Sequence, residues 1–428
     1  MNLLGNFLTT IKPRLDDTVI DRLNYYYSTL IITVMAITLT ARQYVGQPLQ
    51  CWVPAEFSKA WEQYAENYCF VYNTYWVSPE EDIPNQVDER VRRQLLYYQW
   101  VPFIMALQAG CFYLPVIFYS KVNKSSGVDV TDIIKSLNDV DKAEKTERAK
   151  AVNAITAIIE ESLRLMFVRR QNAGKHWRAS MKYGLLSGTY LTNVYTTTKL
   201  LYLVNLVGQF IMMNQFLGQD NHLWGFNILH DITMGRDWEL SGNFPRVALC
   251  DFTVRTLANV QRFSIQCVLM LNMFNEKIFL FLYWWLVFVF FLSLHDTAQW
   301  QLLLRWPNHR TQYVKRFIRP EMEFKLLLRE FCERVVHPDV VFVLEMISLQ
   351  ANELYTQEVI QALWKEYQTN AQLQDIVTKL DFRRKTLLLT QPSKASDSGH
   401  LSEVEESGEE AEDEGENDAS SSIQFQSN

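Results

Sequence analysis

The sequence predicts an all-α integral membrane protein with four transmembrane helices, and three observations indicate this fold class. Apolar residues are bunched into long uncharged stretches, although the mean hydropathy of the 428 residues is close to neutral at -0.11. Aromatic residues make up 13% of the chain, and Trp and Tyr accumulate where spanning helices meet the membrane–water interfaces. Four of the six cysteines fall in two of the connections between the apolar stretches.

Four stretches have the length and apolarity that a membrane span requires, which is about 20 residues of helix. The clearest of them, residues 278–294, has no charged residue in 17 positions. A backbone in hydrocarbon must satisfy its own hydrogen bonds, so each stretch is expected to be a helix. The four spans are placed at residues 25–44, 100–119, 200–217 and 274–295.

The distribution of Lys and Arg orients these spans, because basic residues accumulate in cytosolic connections. The loop 120–199 carries 14 basic and 8 acidic residues, and the segment 295–394 carries 14 and 12. The loop 45–99 carries 4 basic and 8 acidic residues, and the stretch 218–277 carries 5 and 6. Both termini and the middle loop are therefore expected in the cytosol, and the first and third loops outside the cell.

Cysteine usage supports the same topology. Each predicted outer loop holds two cysteines: Cys51 and Cys69 lie in loop 45–99, and Cys250 and Cys267 lie in loop 218–273. Disulfides form on the oxidising side of a membrane, so we expect these loops to be tied by disulfides. Some β structure is also expected in them. Three intramolecular pairings are possible, one within the loops and two between them. Cys111 and Cys332 are expected to be free thiols that pack as small apolar side chains.

Beyond the fourth span, residues 296–390 are expected to form a helical cytosolic domain. Apolar residues recur there at helical spacing, as at Leu327, Leu328 and Phe331, and this period is the main sequence signal of an amphipathic helix. The segment 133–167 of the middle loop has the same pattern.

The last segment, residues 391–428, is rich in Ser, Glu, Gly and Asp and is expected to be a disordered acidic tail. Residues 395–428 hold 11 acidic residues and no Lys or Arg, which accounts for the net charge of -7. The remaining chain has 37 acidic and 41 basic residues, and no basic block indicates nucleic-acid binding. Ser402 and Ser407 precede acidic runs and are candidate phosphorylation sites.

Motifs of catalysis or cofactor binding are not found. None of the seven histidines has the close spacing of a metal site, and neither a nucleotide-binding loop nor a GxSxG motif occurs. We therefore expect neither catalytic residues nor a metal or other cofactor, and we expect a protein that is not an enzyme. Membrane lipids are expected partners.

The first predicted span carries a stripe of small and polar residues on one helical face: Thr29, Thr33, Ala36, Thr40 and Gln43. Such residues allow close packing of helices in membranes, or they line a water-filled pore. Arg42 is the strong charge of this span. A charge at this depth either faces protein or water, where it would tune ion selectivity, or extends to the interface.

An aromatic cluster with a proline opens the second span: Tyr97, Tyr98, Gln99, Trp100, Val101, Pro102 and Phe103. Physically it is a membrane-interface belt, with a proline near the helix start, where no hydrogen-bond donor is needed. This run resembles the signature of innexins, the invertebrate gap-junction proteins. Further motifs that resemble the family are DRLN at 21–24, CWVPAEF at 51–57, YCFV at 68–71 and NEKIF at 275–279.

The resemblance covers roughly residues 1–390 and implies a function. It implies a plasma-membrane gap junction in which the chain is a structural subunit, passing ions and small metabolites between adjacent cells. The alternative is an undocked hemichannel that releases small molecules outside. The resemblance also implies a ring of like subunits, namely an octamer that docks head to head with a ring of the neighbouring cell. Assembly with other innexins is allowed as well. The implied disulfides join Cys51 to Cys267 and Cys69 to Cys250.

The N-terminal segment 1–24 has two interpretations. Leu4, Phe7, Leu8 and Ile11 lie on one helical face, and Pro13 interrupts the pattern. The segment is either an interfacial helix on the inner membrane surface or, as the resemblance implies, a helix folded into the pore mouth that narrows and gates the channel.

Overall fold

The structure is a computed structural model, which describes residues 13–72, 74–78, 81–123, 129–140, 145–171, 188–218, 222–235, 244–318 and 325–370. The chain divides into a compact unit, Met1–Thr369, and a second unit, Asn370–Asn428. Every described residue except Asn370 belongs to the first unit. The predicted N-terminal helix face and the predicted acidic tail lie outside the described residues.

The described part is mostly helical, as predicted. The helices are α1 (Val19–Val45), α2 (Lys59–Tyr72), α3 (Val87–Arg92), α4 (Val101–Asn123), α5 (Val130–Val140), α6 (Lys145–Gln171), α7 (Tyr190–Phe216), α8 (Trp224–Met234), α9 (Met270–Arg305), α10 (Pro307–Phe317), α11 (Lys325–Arg334), α12 (Pro338–Gln350) and α13 (353–370). The strands are β1 (Gln50–Trp52), β2 (Thr74–Tyr75), β3 (Gln94–Leu95), β4 (Val247–Thr256) and β5 (Asn259–Val268).

Within the described residues, three helices are long and apolar enough to cross a membrane, namely α1, α4 and α9. The third predicted span falls in α7, which is 27 residues long but less apolar, because Asn205, Gln209 and Asn214 interrupt it. Gln209 and Asn214 are buried, and Asn214 accepts a hydrogen bond from the indole nitrogen of Trp224 at 2.9 Å. Gln209 and Asn214 therefore face protein.

The α9 helix extends well beyond the span predicted for it. It has 36 residues, and at 1.5 Å per residue it is about 54 Å long. The hydrocarbon core of a bilayer is only about 30 Å thick. The helix therefore projects from the membrane, and its final turns after His295 contribute to the helical unit beyond it.

A hydrophobic core joins one end of α4, α7 and α9 to the helices of the middle loop and the C-terminal segment. Ile134 of α5, Ile155 of α6, Phe342 of α12 and Tyr355 of α13 are buried in it. Phe331 of α11, one of the residues that predicted a helix here, is buried as well. The middle loop and the C-terminal segment, which are far apart in the sequence, thus form one helical unit, called the inner helical unit below.

Candidate functional site

The two predicted outer loops fold into one β-sheet. The strand order is β1-β5-β4-β2-β3, and each described pairing is antiparallel. The first loop supplies β1, β2 and β3, and the second supplies β4 and β5. Arg90 of α3 forms an ion pair with Asp251 of β4 at 2.5 Å, and Asp251 also accepts a hydrogen bond from the Tyr75 hydroxyl at 3.1 Å. Neither loop can form this sheet alone.

Both disulfides join the first loop to the second. Cys51 of β1 lies opposite Cys267 of β5 in the strand register, and these two residues form one disulfide. Cys69 of α2 and Cys250 of β4 form the other, which ties α2 to the sheet. All four side chains are buried. This nested pattern is the one that the family resemblance implies, and Cys111 and Cys332 are free thiols.

The β4–β5 hairpin ends in an unusual turn. Thr256 and Asn259 close the ladder, and the two residues between them, Leu257 and Ala258, have φ angles of 45° and 67°. Two-residue hairpin turns of this kind favour Asn and Gly, because a Cβ atom makes the left-handed region costly. Leu257 is also fully exposed. Two consecutive residues with Cβ atoms in the left-handed region are uncommon, and this turn places the Leu257 side chain in the open.

Aromatic residues of the first outer loop divide between core and surface. Phe57 packs edge-on against Phe263 of β5. Tyr64, Tyr68 and Tyr72 form a ladder along α2, with ring centroids 6.1 and 4.5 Å apart, and Tyr64 and Tyr72 are mostly exposed, as is Trp61. The α2 helix therefore presents an aromatic face to its surroundings.

The aromatic cluster at the start of the second span connects three elements. Tyr98 and Val101 point inward and are buried, whereas Trp100 and Phe103 are exposed. The Gln99 side chain donates hydrogen bonds to the carbonyls of Phe70 and Val71 near the end of α2. Gln99 in turn accepts, through its backbone carbonyl, a hydrogen bond from Gln43 of α1 at 3.3 Å. The cluster thus fastens α2 and α1 to the first residues of α4.

Much of the polar stripe on α1 serves helix packing in the single chain. Thr29, Ala36 and Gln43 are buried, and the Thr29 hydroxyl donates a hydrogen bond to the Ala109 carbonyl of α4 at 3.4 Å. Thr40 is exposed. Arg42 lies on the exposed side, and its guanidinium stands 4.9 Å from the ring centroid of Phe274 at the start of α9.

At the opposite end of the bundle, three long helices meet at a buried charge cluster, defined by Asp21 of α1, Lys199 of α7 and Asp296 of α9. The Lys199 ammonium lies 2.8 Å from an Asp21 carboxylate oxygen and also contacts the Asp296 carboxylate. It donates a hydrogen bond to the Thr18 hydroxyl at 3.0 Å, and the Tyr195 hydroxyl donates to Asp21 at 2.9 Å. Buried charges of this kind require such complete pairing.

The chain just before α1 is held at the same end of the bundle. Arg22 forms an ion pair with Asp17 at 2.7 Å, and Tyr25 donates a hydrogen bond to Asp17 at 2.5 Å. Burial raises the pKa of Asp17 to about 6, because lost hydration outweighs these two partners. Gln350 of α12 donates to the Asp17 carbonyl and accepts from Arg22 at 2.8 Å. The N-terminal segment is thereby connected to the inner helical unit.

Several predicted site residues lie outside the described part of the chain. They are Leu4, Phe7, Leu8 and Ile11 of the N-terminal face and Ser402 and Ser407 of the tail. Conversely, the charge cluster was not predicted. In the sequence, Lys199 stands at the edge of the third predicted span, and Asp21 and Asp296 stand near the first and fourth. A sequence pattern does not show which residues of different spans come into contact.

Fold and site together define a multi-span membrane protein whose two outer loops form one disulfide-tied domain. Comparison with known proteins gives the family. The innexin family profile matches residues 16–367. Innexin eat-5 of Caenorhabditis elegans is 47% identical over 388 residues, which are 86% of this chain and 91% of that protein. Innexin unc-9 of the same organism is 40% identical over 378 residues, 86% of this chain and 97% of that protein.

The chain belongs to the innexin family. Innexins are gap-junction channel proteins of the plasma membrane rather than enzymes, and they form oligomeric channels. The candidate site is accordingly a channel subunit's outer domain and the helix bundle beneath it.

Proposed function

We propose that this chain is a subunit of an octameric ring that docks, through its outer sheet, with a ring of the neighbouring cell. In this arrangement α1, α4, α7 and α9 all cross the membrane, both termini are cytosolic, and the conducted species are ions and small metabolites. The ring size is the one that the family resemblance implies. A closed ring of like subunits is the usual way to enclose a pore.

The observation that carries the docking proposal is the hairpin turn at Leu257. The β5 strand runs directly into α9, so its far end is distant from the membrane. Ten residues at 3.3 Å each place the turn about 30 Å along the strands from the start of α9. Leu257 is fully exposed there, and its side chain stabilises the protein only when another surface removes it from water. The opposed ring offers that surface.

A second part of the proposal concerns the pore lining. The face of α1 opposite its packed stripe is exposed in the single chain, at Tyr27, Val34, Thr38, Ala41 and Val45. These positions are 7, 4, 3 and 4 residues apart, so they share one helical face. We assign this face to the pore. The N-terminal segment enters the pore mouth, and Arg42 lies beside the outer entrance, where it favours anions.

Paired-cell recording tests the docking proposal. Leu257→Asn removes the apolar side chain and introduces a residue that tolerates positive φ. Leu257→Asp adds a charge as well. Both are expected to lower junctional conductance at least about tenfold, since losing a buried leucine contact costs roughly 1.5–3 kcal/mol. Dye uptake by single cells should stay unchanged. Leu354→Asp, at an exposed leucine of α13, is the matched control.

The outcomes separate the gap junction from the undocked hemichannel. Normal conductance in both Leu257 variants contradicts a docking role for the hairpin turn. If the wild-type chain passes dye in single cells and gives no junctional conductance in pairs, the chain forms a hemichannel and the docking proposal fails altogether.

A further inference from the structure

A large cavity lies among the inner helices, away from the charge cluster. Its volume is about 1440 Å³. It is bounded by the start of α7, the end of α9, the helices α10 and α11, and the start of α12. The residues used below are Asn308, Arg305, Arg310, Lys315, Arg329 and Glu333, all of which line it.

The charge of this cavity is strongly unbalanced. Four cationic side chains line it, against the carboxylate of Glu333 alone. Glu333 forms an ion pair with Arg329 at 3.2 Å. Among the described residues, Arg305, Arg310 and Lys315 have no carboxylate within ion-pair distance. Within the part of the chain that the structure describes, three positive charges therefore line one space without a paired carboxylate.

Arg310 is the most constrained of these cations. It is half-buried, and one terminal nitrogen donates to the Val336 carbonyl at 3.3 Å. Its Nε atom is fully buried and has no hydrogen-bond partner among the described residues. Burial lowers the pKa of this guanidinium. A buried cationic group that lacks a partner is costly, and an anion beside this guanidinium compensates for its lost hydration.

The backbone adds to this preference. The α10 helix begins at Pro307, its cap residue Trp306 provides no side-chain hydrogen bond, and Asn308 of its first turn lines the cavity. Pro307 has no N–H group, and the N–H groups of His309 and Arg310 donate to the Trp306 carbonyl at 3.1 and 3.3 Å, so the positive end of the helix dipole rather than a row of free N–H groups favours an anion here. The helix has 11 residues, enough for a substantial dipole.

The cavity lies beyond the membrane in the proposed topology. Arg305 is nine residues past Asp296 on the continuous α9 helix, which places it about 14 Å further along the axis. It is therefore accessible to solutes of the cytosol, and to lipid headgroups only where they extend from the bilayer surface.

We propose that this cavity binds a phosphate-bearing polyanion, with Arg305, Arg310 and Lys315 as its ligands. Guanidinium groups bind phosphate through paired hydrogen bonds, and lysine adds a mobile point charge. A volume of about 1440 Å³ exceeds that of an ordinary small-molecule site, roughly 300–1,000 Å³, so several phosphates fit together. Because the ligands belong to α9 and α10, occupancy ties the end of a membrane span to the adjoining helix.

Binding to the full-length purified protein tests this proposal. The soluble probe is inositol hexakisphosphate, and the lipid probe is a vesicle that contains phosphatidylinositol 4,5-bisphosphate. The wild-type protein is expected to bind at least one probe, with an increase in Tm on binding. The variant R305Q/K315Q is expected to bind at least about tenfold more weakly, the loss expected from charged hydrogen bonds. These two positions are exposed, so the fold should persist.

The matched control is R334Q, which removes an exposed arginine of α11 that pairs with Glu330 outside the cavity. It should bind like the wild type. Binding of the soluble probe alone assigns a cytosolic ligand, and binding of the vesicle alone assigns a lipid headgroup. If neither probe binds, or if R305Q/K315Q and R334Q bind equally to the wild type, the proposal is overturned.

Discussion

The ammonium of Lys199 on α7 lies 2.8 Å from a carboxylate oxygen of Asp21 on α1, and the two side chains are only 3% and 4% exposed. Asp296 of α9 contacts the same ammonium. One lysine thereby holds three long helices together at their inner ends, next to the segment that leads into α1.

Replacing this lysine should destabilise the bundle. In Lys199→Met two carboxylates stay buried without their counter-charge, and removal of one partner from a buried ion pair typically costs roughly 3–5 kcal/mol. We expect a large decrease in Tm of the purified protein and a loss of surface expression. Lys150→Met, which removes an exposed pair with Glu147, should leave both unchanged. Equal behaviour of the two variants would show that the cluster is dispensable.

The disulfide between α2 and the sheet gives a second prediction. Cys69→Ser combined with Cys250→Ser should lower the free energy of unfolding by about 2–4 kcal/mol and reduce junctional conductance, because α2 loses its covalent attachment to β4. Cys111→Ser, which removes a free thiol, serves as the control. Thermal unfolding with and without reductant measures the effect, and wild-type conductance in the double variant would contradict it.

The inner helical unit should become less stable as pH rises. Burial, together with the neighbouring Glu366, raises the pKa of Glu160 from 4.5 to about 7. A carboxyl group whose pKa is raised in the folded state binds its proton more tightly there. The contribution of Glu160 to the free energy of unfolding is therefore fully present below pH 4.5 and is lost as pH rises through about 7.

Glu160→Gln should remove this dependence, so the variant should unfold at a higher temperature than the wild type above that pH range. Glu161→Gln alters the next residue, whose carboxylate is 3.8 Å from Arg164, and should retain the wild-type pH dependence. Melting curves on both sides of the range measure the difference. If the Tm of wild type and of Glu160→Gln changes with pH in the same way, the Glu160–Glu366 pair is not the source of the pH dependence.

A close contact between α8 and α9 gives the fourth prediction. A Cβ atom at Gly225 would lie 2.4 Å from the ring of Tyr283, and the Tyr283 hydroxyl donates to the His222 carbonyl at 3.3 Å. Gly225→Ala should displace α8 and cost about 1–3 kcal/mol by overpacking. Gly110→Ala, where nothing lies within 4 Å of the added atom, should be neutral or slightly stabilising. Thermal unfolding of the two variants provides the comparison.

The sequence predicted the features that depend on local pattern. Apolar length placed α1, α4 and α9, and the 3.6-residue period indicated the helix that buries Phe331. The sheet between the loops was harder to predict, because β2 and β3 have two residues each and the Leu257–Ala258 turn lacks the usual Asn or Gly. Without the family resemblance, spacing alone left three disulfide pairings open.

Relationships between distant segments could not be predicted. Lys199 and Asp296 each stood at the edge of an apolar stretch, where a charge most often faces water. The cations of the inner cavity are spread from Arg305 to Arg329, a segment with seven basic and two acidic residues, but its pattern does not show which of them share one space. Only the packing of α9, α10 and α11 brings them to one space.

The continuous α9 helix also has a mechanical consequence. Its 36 residues include neither glycine nor proline, the usual causes of a bend, whereas α4 contains Pro115. The helix is therefore a stiff rod between the β5 strand that precedes it and the cations at its far end. Tilting a rod of about 54 Å by about 5° around its middle moves each end by roughly 2 Å, so in the proposed topology a displacement of the docked sheet would also displace the cations at the cytosolic end.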